Sequence, residues 1–191
     1  MVAWIVTLLV AVAPPVSRCY GEQPDQYKQR LTEIVDAATA TVFDLNEERL
    51  VGGEWGYELS LMRMLAVASH ESMGFNEHVD DGRQRGDSGA SACLMGIMGD
   101  RHGKAEGWTL RELTNERLLC FLVGYHRMKT SHRVCGRGVH GLAVYASGQC
   151  SKGREVSAVM VKQGRDWGYK LVAAYDQGEW GPRIMEPEEN E

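Results

Sequence analysis

The chain has 191 residues, a formal net charge of −5, 43% apolar residues and 25% charged residues. That length supports one domain with a substantial core, with or without tails. The acidic balance, with basic residues scattered rather than striped and no aromatic–basic interleaving, excludes the footprint of a nucleic-acid binder, and no internal repeat or long low-complexity segment is present.

The N-terminal "MVAWIVTLLVAVAPPV" is apolar but shorter than the roughly 20 residues a membrane span needs. Its length suits a signal-peptide core. No Lys or Arg precedes the apolar run, and the small-x-small triplet Ala11-Val12-Ala13 is followed by Pro14. Residues 1–20 are therefore read as a signal peptide or a membrane-anchoring apolar segment, with a buried or interfacial helix as the alternative. Export to the periplasm, the cell envelope or the medium is the expectation. The segment also offers a means of membrane association.

Residues 21–56 read as an N-terminal helix and a linker. Gln23 to Phe43 has one charged face and one Ala/Val/Leu face, and the glycines of "NEERLVGGEWG" then break the pattern. Residues 57–180 form the expected main domain. Tyr57 to His70, rich in Leu, Met and Ala and almost free of charge, predicts a helix buried on most sides, with Gly74 ending it shortly after Glu71. From Gly74 to Gly99 the abundance of Gly, Asp and Ser predicts an extended loop with short strand pieces, closing on the apolar "CLMGIM". A loop of this length inside a domain is usually functional or disordered, and the apolar close speaks against disorder.

Helical signals return at "TLREL", where Thr109 and Glu112 have capping-box spacing. Asn115 can cap a helix from Glu116 to about His132, with Leu118, Leu119, Phe121, Leu122 and Tyr125 on its apolar side. "CGRGVHG" is a turn, Leu142 to Ala146 a short buried helix stopped by Gly148, and Glu155 to Gln163 a last helix. "DWGYKLVAAYDQGEWG" reads as a further packed segment, and residues 181–191 as a solvated acidic tail. The fold class is mainly α with a small, irregular β-like loop region.

Five cysteines are present, at 19, 93, 120, 135 and 150, and none forms a C-x-x-C pair. Zinc ribbons and thioredoxin-type redox sites are thereby disfavoured. In an exported protein the four later cysteines can make two disulfides; otherwise they are buried, inert thiols. The short loop-helix segment between Cys135 and Cys150 favours that pair, which leaves Cys93 with Cys120.

Chemistry concentrates at "AVASHESMGF". A helical zinc-protease motif needs a second His four residues after His70, and position 74 is Gly. Met64, Val67 and Glu71 share a helix face by their i, i+3, i+7 spacing, so the Glu71 carboxyl projects from an apolar stripe beside a Gly-rich segment able to fold over it. Desolvation raises a carboxyl pKa, and an acid still protonated near neutral pH can protonate a leaving oxygen. A Glu at a helix end is more commonly solvated, and His70 points elsewhere on the helix.

The order of the pieces "HES", Phe75, "CLMGIM" and "LAVYASG" resembles the soluble lytic transglycosylase and goose-type lysozyme family. There a helix-terminal Glu-Ser precedes a Gly-Leu-Met-Gln-type segment and an Ala-Tyr-Asn-x-Gly-type segment. The likeness runs over about residues 57–163. It implies a lysozyme-like fold with a groove for the glycan strands of peptidoglycan, and Glu71 as the catalytic acid/base. By the same resemblance Ser72 helps place substrate or the glutamate, Leu94 and Met95 line the groove, Tyr145 reaches towards the carboxyl, and Gly148 closes the last motif. Two positions depart from the family pattern: its Gln is Gly96 here and its Asn is Ala146. Both lost amides would have offered substrate hydrogen bonds. The family implies neither cofactor nor metal. A zinc hydrolase would need scattered ligands such as His102, His126 and His140. Of the loop acids Asp80, Asp81 and Asp87, turn roles are the default, with Asp87 the best placed for a second carboxylate. A bacterial wall enzyme and a phage-encoded one would share these features, as would a non-catalytic glycan-binding relative.

Overall fold

The computed structural model describes residues 1–13, 22–45 and 48–178. Pro14, Cys19 and the acidic tail 181–191 lie outside these. The described chain is mainly helical, with two two-stranded antiparallel ribbons.

Helix α1 (Val2–Val12) buries Ile5, Val6 and Leu9 and lies against α2 (Pro24–Thr39). Pro24 suits the first turn of α2, where its missing N–H costs nothing, and a Gln23–Gln26 capping box closes that end. A short π-helical turn, Ala40–Asp44, follows. The core is organised on α3 (Gly56–Glu71), in which Leu61, Met62 and every residue from Met64 to Ala68 are buried. Among the described residues no helix is long and apolar enough to cross a membrane.

The segment after α3 is less extended than its composition predicts. Asn76 caps a one-turn helix, α4 (Glu77–Asp80), by accepting the His78 N–H at 2.9 Å. Asp80, its side chain 3% exposed, is clamped by Arg30 of α2 and by Arg117, which contacts it at 2.8 Å. Arg30 also donates to the Phe75 carbonyl. The clamp answers the carboxylate's desolvation with two guanidinium groups.

Strand β1 (Ser91–Ala92) pairs with β2 (Ile97–Met98), and β3 (Lys104–Ala105) with β4 (Trp108–Thr109). The Thr109–Glu112 capping box opens α5 (Leu110–Asn115). Helix α6 (Arg117–Cys135) starts from Glu116 rather than Asn115 and runs beyond His132. Phe121 and Tyr125 are buried in it, whereas Leu118, expected on the apolar side, is 42% exposed. Helix α7 (Ala143–Ser147) stops at Gly148, whose φ of +73° is left-handed. Cys93 is bonded to Cys120 and Cys135 to Cys150, in the expected pairing. The first bond ties the β1–β2 turn to α6.

One element departs more. Glu155 to Gln163 and the segment after it are a single helix, α8 (Arg154–Asp176). Gly164 and Gly168 do not break it. They are the places where α8 meets α3: a Cβ on Gly164 would lie 2.7 Å from the Arg63 Cα, and one on Gly168 2.4 Å from a Leu59 methyl. The helical cost of glycine is offset by close packing of the most extensive helix pair among the described residues.

Candidate active site

Glu71 is the last residue of α3. Beyond it the chain reverses sharply through Met73, Gly74 and Phe75, all at positive φ. Ser72 holds this turn. Its hydroxyl donates to the Ala68 carbonyl at 2.6 Å and accepts the Phe75 N–H at 2.9 Å. Phe75 is drawn fully into the core, and the Glu71 side chain is left half-buried at the rim.

Gly96 forms the wall behind the carboxyl. It sits at φ +59°, and a Cβ there would lie 2.7 Å from Glu71 Oε2. In front is a cavity of about 330 Å³ lined by Glu71, Asp87, Met98, Arg127, Tyr145 and Ala146, among others. A second recess of about 140 Å³, reaching Met73, Gln84 and Ser91, also borders Glu71, Asp87 and Gly96. The carboxyl thus stands where two parts of one groove meet.

Burial foremost, and then the negative charge of Asp87, together raise the Glu71 pKa from 4.5 to about 7. Such a group is about half protonated at neutral pH, against well under 1% for an ordinary Glu. It can therefore give and take a proton at one position. Asp87 is not merely a turn residue. It lies in both parts of the groove, in a left-handed backbone at φ +49° followed by Ser88 at +55°. Asp80 and Asp81 are engaged instead with arginines, Asp81 with Arg83.

Tyr145 comes from α7, and its backbone N–H is held by the Ser131 hydroxyl at 3.1 Å. Its hydroxyl donates to the Met95 carbonyl. Burial first, and then the charge of Glu71, push its pKa well above 10, while Arg127 opposes the shift. Tyr145 is thus a neutral hydroxyl within electrostatic reach of the acid. Arg127 projects from α6, donating to the Met98 carbonyl at 2.9 Å and to Glu106 at 3.3 Å.

Comparison with known protein families, with curated proteins and with solved structures finds no match to this chain. The chemistry is therefore read from its own residues.

Glu71 and Tyr145 meet in one groove. Ser72 and Met95 do not line it: both are fully buried, so neither side chain is available to a substrate. Ser72 shapes the turn behind Glu71, and Met95 contributes its carbonyl to Tyr145 while its side chain packs on Gly124. Leu94 is likewise buried, and the groove wall is made by Gly96, Ile97 and Met98 instead. Arg127 is the groove residue that the sequence does not single out, because one arginine on a long helix has no distinguishing pattern. Among the described residues no three His, Cys, Asp or Glu side chains gather as a metal site.

Proposed function

We propose that the chain is a peptidoglycan lytic transglycosylase with a lysozyme-like fold, cleaving the β-1,4 bond between N-acetylmuramic acid and N-acetylglucosamine. The observation that carries this reading is the placement of Glu71, a half-buried carboxyl raised to a pKa of about 7, where two parts of a groove meet. A glycan strand must pass on both sides of its reacting bond, and the groove has that form. The two disulfides are compatible with an oxidising, exported setting.

Protonated Glu71 donates to the glycosidic oxygen, and positive charge develops on the muramyl ring. The carboxylate so formed takes the proton of the muramyl 6-hydroxyl, and that oxygen closes onto C1 to give a 1,6-anhydro end. A carboxyl with a midpoint near neutrality serves both steps. Tyr145, anchored on Met95, supplies a fixed hydroxyl beside it. Gly96 suits the role because any side chain would displace the acid, so a Gln at this position would not fit behind the carboxyl.

A muramidase reading has its own support in Asp87, a second groove carboxylate facing Glu71. Glycosidases that hydrolyse commonly use such a pair, and Asp87 would position the attacking water. Mass spectrometry of fragments released from purified peptidoglycan separates the two. Anhydro ends are expected, and reducing ends would assign hydrolysis. Glu71→Gln is expected to release neither. Equal, nonzero release by wild type and Glu71→Gln defeats both readings, and no release by either favours a glycan-binding protein.

A further inference from the structure

The two parts of the Glu71 groove differ in size and in charge. The larger, about 330 Å³, has a single cation, Arg127, among its described lining residues. The smaller, about 140 Å³, has none and is lined largely by uncharged groups such as Met73, Gln84 and Ser91. Glu71 and Asp87 border both. A sugar with a negative substituent and a sugar without one therefore meet different surroundings on the two sides of the acid.

Arg127 is held at the groove wall with donors to spare. Its Nη1 donates to the Met98 carbonyl at 2.9 Å, which fixes the guanidinium against β2. Its Nε reaches Glu106 at 3.3 Å, and the two side chains of that pair are 31% and 41% exposed, so the pair is weak. A guanidinium has five N–H donors in one plane. The two on Nη2 meet no protein acceptor among the described residues. The charge of Arg127 reaches the Tyr145 hydroxyl, so the cation belongs to the same end of the groove as that side chain.

We propose that Arg127 sets the specificity of the groove by binding a carboxylate of the muramyl residue, which thereby occupies the larger part and leaves the smaller to the neutral N-acetylglucosamine. This rests on the glycan-cleaving reading above. N-acetylmuramic acid differs from N-acetylglucosamine by a lactyl ether that ends in a carboxyl. In a peptide-free strand that carboxyl is ionised. In a peptide-bearing strand it is an amide, and the stem peptide brings carboxylates of its own. Both sources offer the same chemistry, a carboxylate accepting from guanidinium N–H groups. The substituted sugar is also the bulkier one, in keeping with the larger part. Asp87 repels an anion elsewhere in the groove, so the two charges together select one seating of the strand.

The test is calorimetric titration of Glu71→Gln protein, chosen to prevent cleavage, at pH 7.5 and fixed ionic strength with four tetrasaccharides. Chitotetraose is neutral. The alternating N-acetylglucosamine–N-acetylmuramic acid tetrasaccharide carries lactyl carboxylates, its lactyl amide carries none, and its stem-peptide form carries peptide carboxylates alone. A carboxylate-bearing form is expected to bind about tenfold or more tightly than chitotetraose and the lactyl amide. Adding Arg127→Gln should bring that ratio close to one, and the Arg127 Nε–H resonance of the Glu71→Gln protein should move with the preferred ligand. Preference for the lactyl acid assigns peptide-free strands, and preference for the stem-peptide form assigns the peptide. Chitotetraose binding with no preference for a carboxylate, a preference that Arg127→Gln retains, or an unmoved Arg127 resonance overturns the inference and leaves the glycan reading standing. Failure of all four to bind overturns both. Circular dichroism checks that the Arg127→Gln protein is folded, and the resonance needs no substitution at position 127.

Discussion

Replacing Glu71 by Gln should make the protein more stable, and only at the pH where the acid is charged. The carboxyl titrates near 7 in the folded chain and near 4.5 in an ordinary setting. Between these values the native state binds more protons than the unfolded state, so stability falls as pH rises through that window. The difference corresponds to about 3 kcal/mol, fully lost above about pH 8. Gln has the same shape and never ionises, so it carries no such penalty. Wild type and Glu71→Gln should therefore unfold alike at pH 4, and the variant should gain up to about 3 kcal/mol by pH 8. For a chain of this size that is a rise in Tm of about 5–10 °C. Urea unfolding followed by circular dichroism, disulfides intact, measures it. Two stability curves that stay parallel from pH 4 to pH 8 would refute the claim that the groove disfavours a charged Glu71.

Asp87→Asn removes a negative charge that helps raise the Glu71 pKa; the titration of a 13C-labelled Glu71 carboxyl should move to lower pH, and an unmoved midpoint would count against their proximity. In Gly96→Ala the new methyl meets Glu71 Oε2 in a left-handed backbone. A loss of about 1–3 kcal/mol and a fall in wall clearing on the order of tenfold to a hundredfold are expected, read by unfolding and by turbidity. Gly164→Ala should cost about 1–2 kcal/mol net, because overpacking against the Arg63 backbone outweighs the gain in helix propensity. Gly168→Ala should be close to neutral, since a Leu59 methyl can move aside; thermal melts that reverse this order would contradict the account of the α3–α8 contact. Asp80→Ala removes the buried acceptor shared by Arg30 and Arg117, which keep Glu22 and Glu33 as partners, and should cost about 1–3 kcal/mol by urea titration.

Helix α3 is legible in the sequence because its apolar residues occupy nearly every face, a pattern that only a helix surrounded by protein can satisfy. The setting of Glu71 is legible for the same reason: Met64 and Val67 share its face and are both fully buried. Helix α8 is not. Gly164 and Gly168 look like breaks until the opposing helix is known, and nothing local says that the space is needed. Ser72 and Met95 were expected at the groove by resemblance, but Ser72 is buried in the reversal after α3 and Met95 in the turn between β1 and β2, and irregular backbone carries no periodicity from which to read the face a side chain takes. Asp87 and Arg127 meet across the groove from a loop and a distant helix, and no periodicity links them. The signal available for Asp87 was its company of Gly and Ser, which is also the signature of an ordinary turn.

The two groove carboxylates are mounted differently. Glu71 rides on the helix that α8 grips along its length, with Gly96 braced behind it. Asp87 rides on a connecting stretch held in a conformation that non-glycine residues resist. When something enters the groove, the yielding side is therefore the one that carries Asp87, and Glu71 stays where it is. Amide exchange should be slow through residues 61–68 and fast around 86–89, so that the molecule behaves as a fixed tool working against an adjustable jaw.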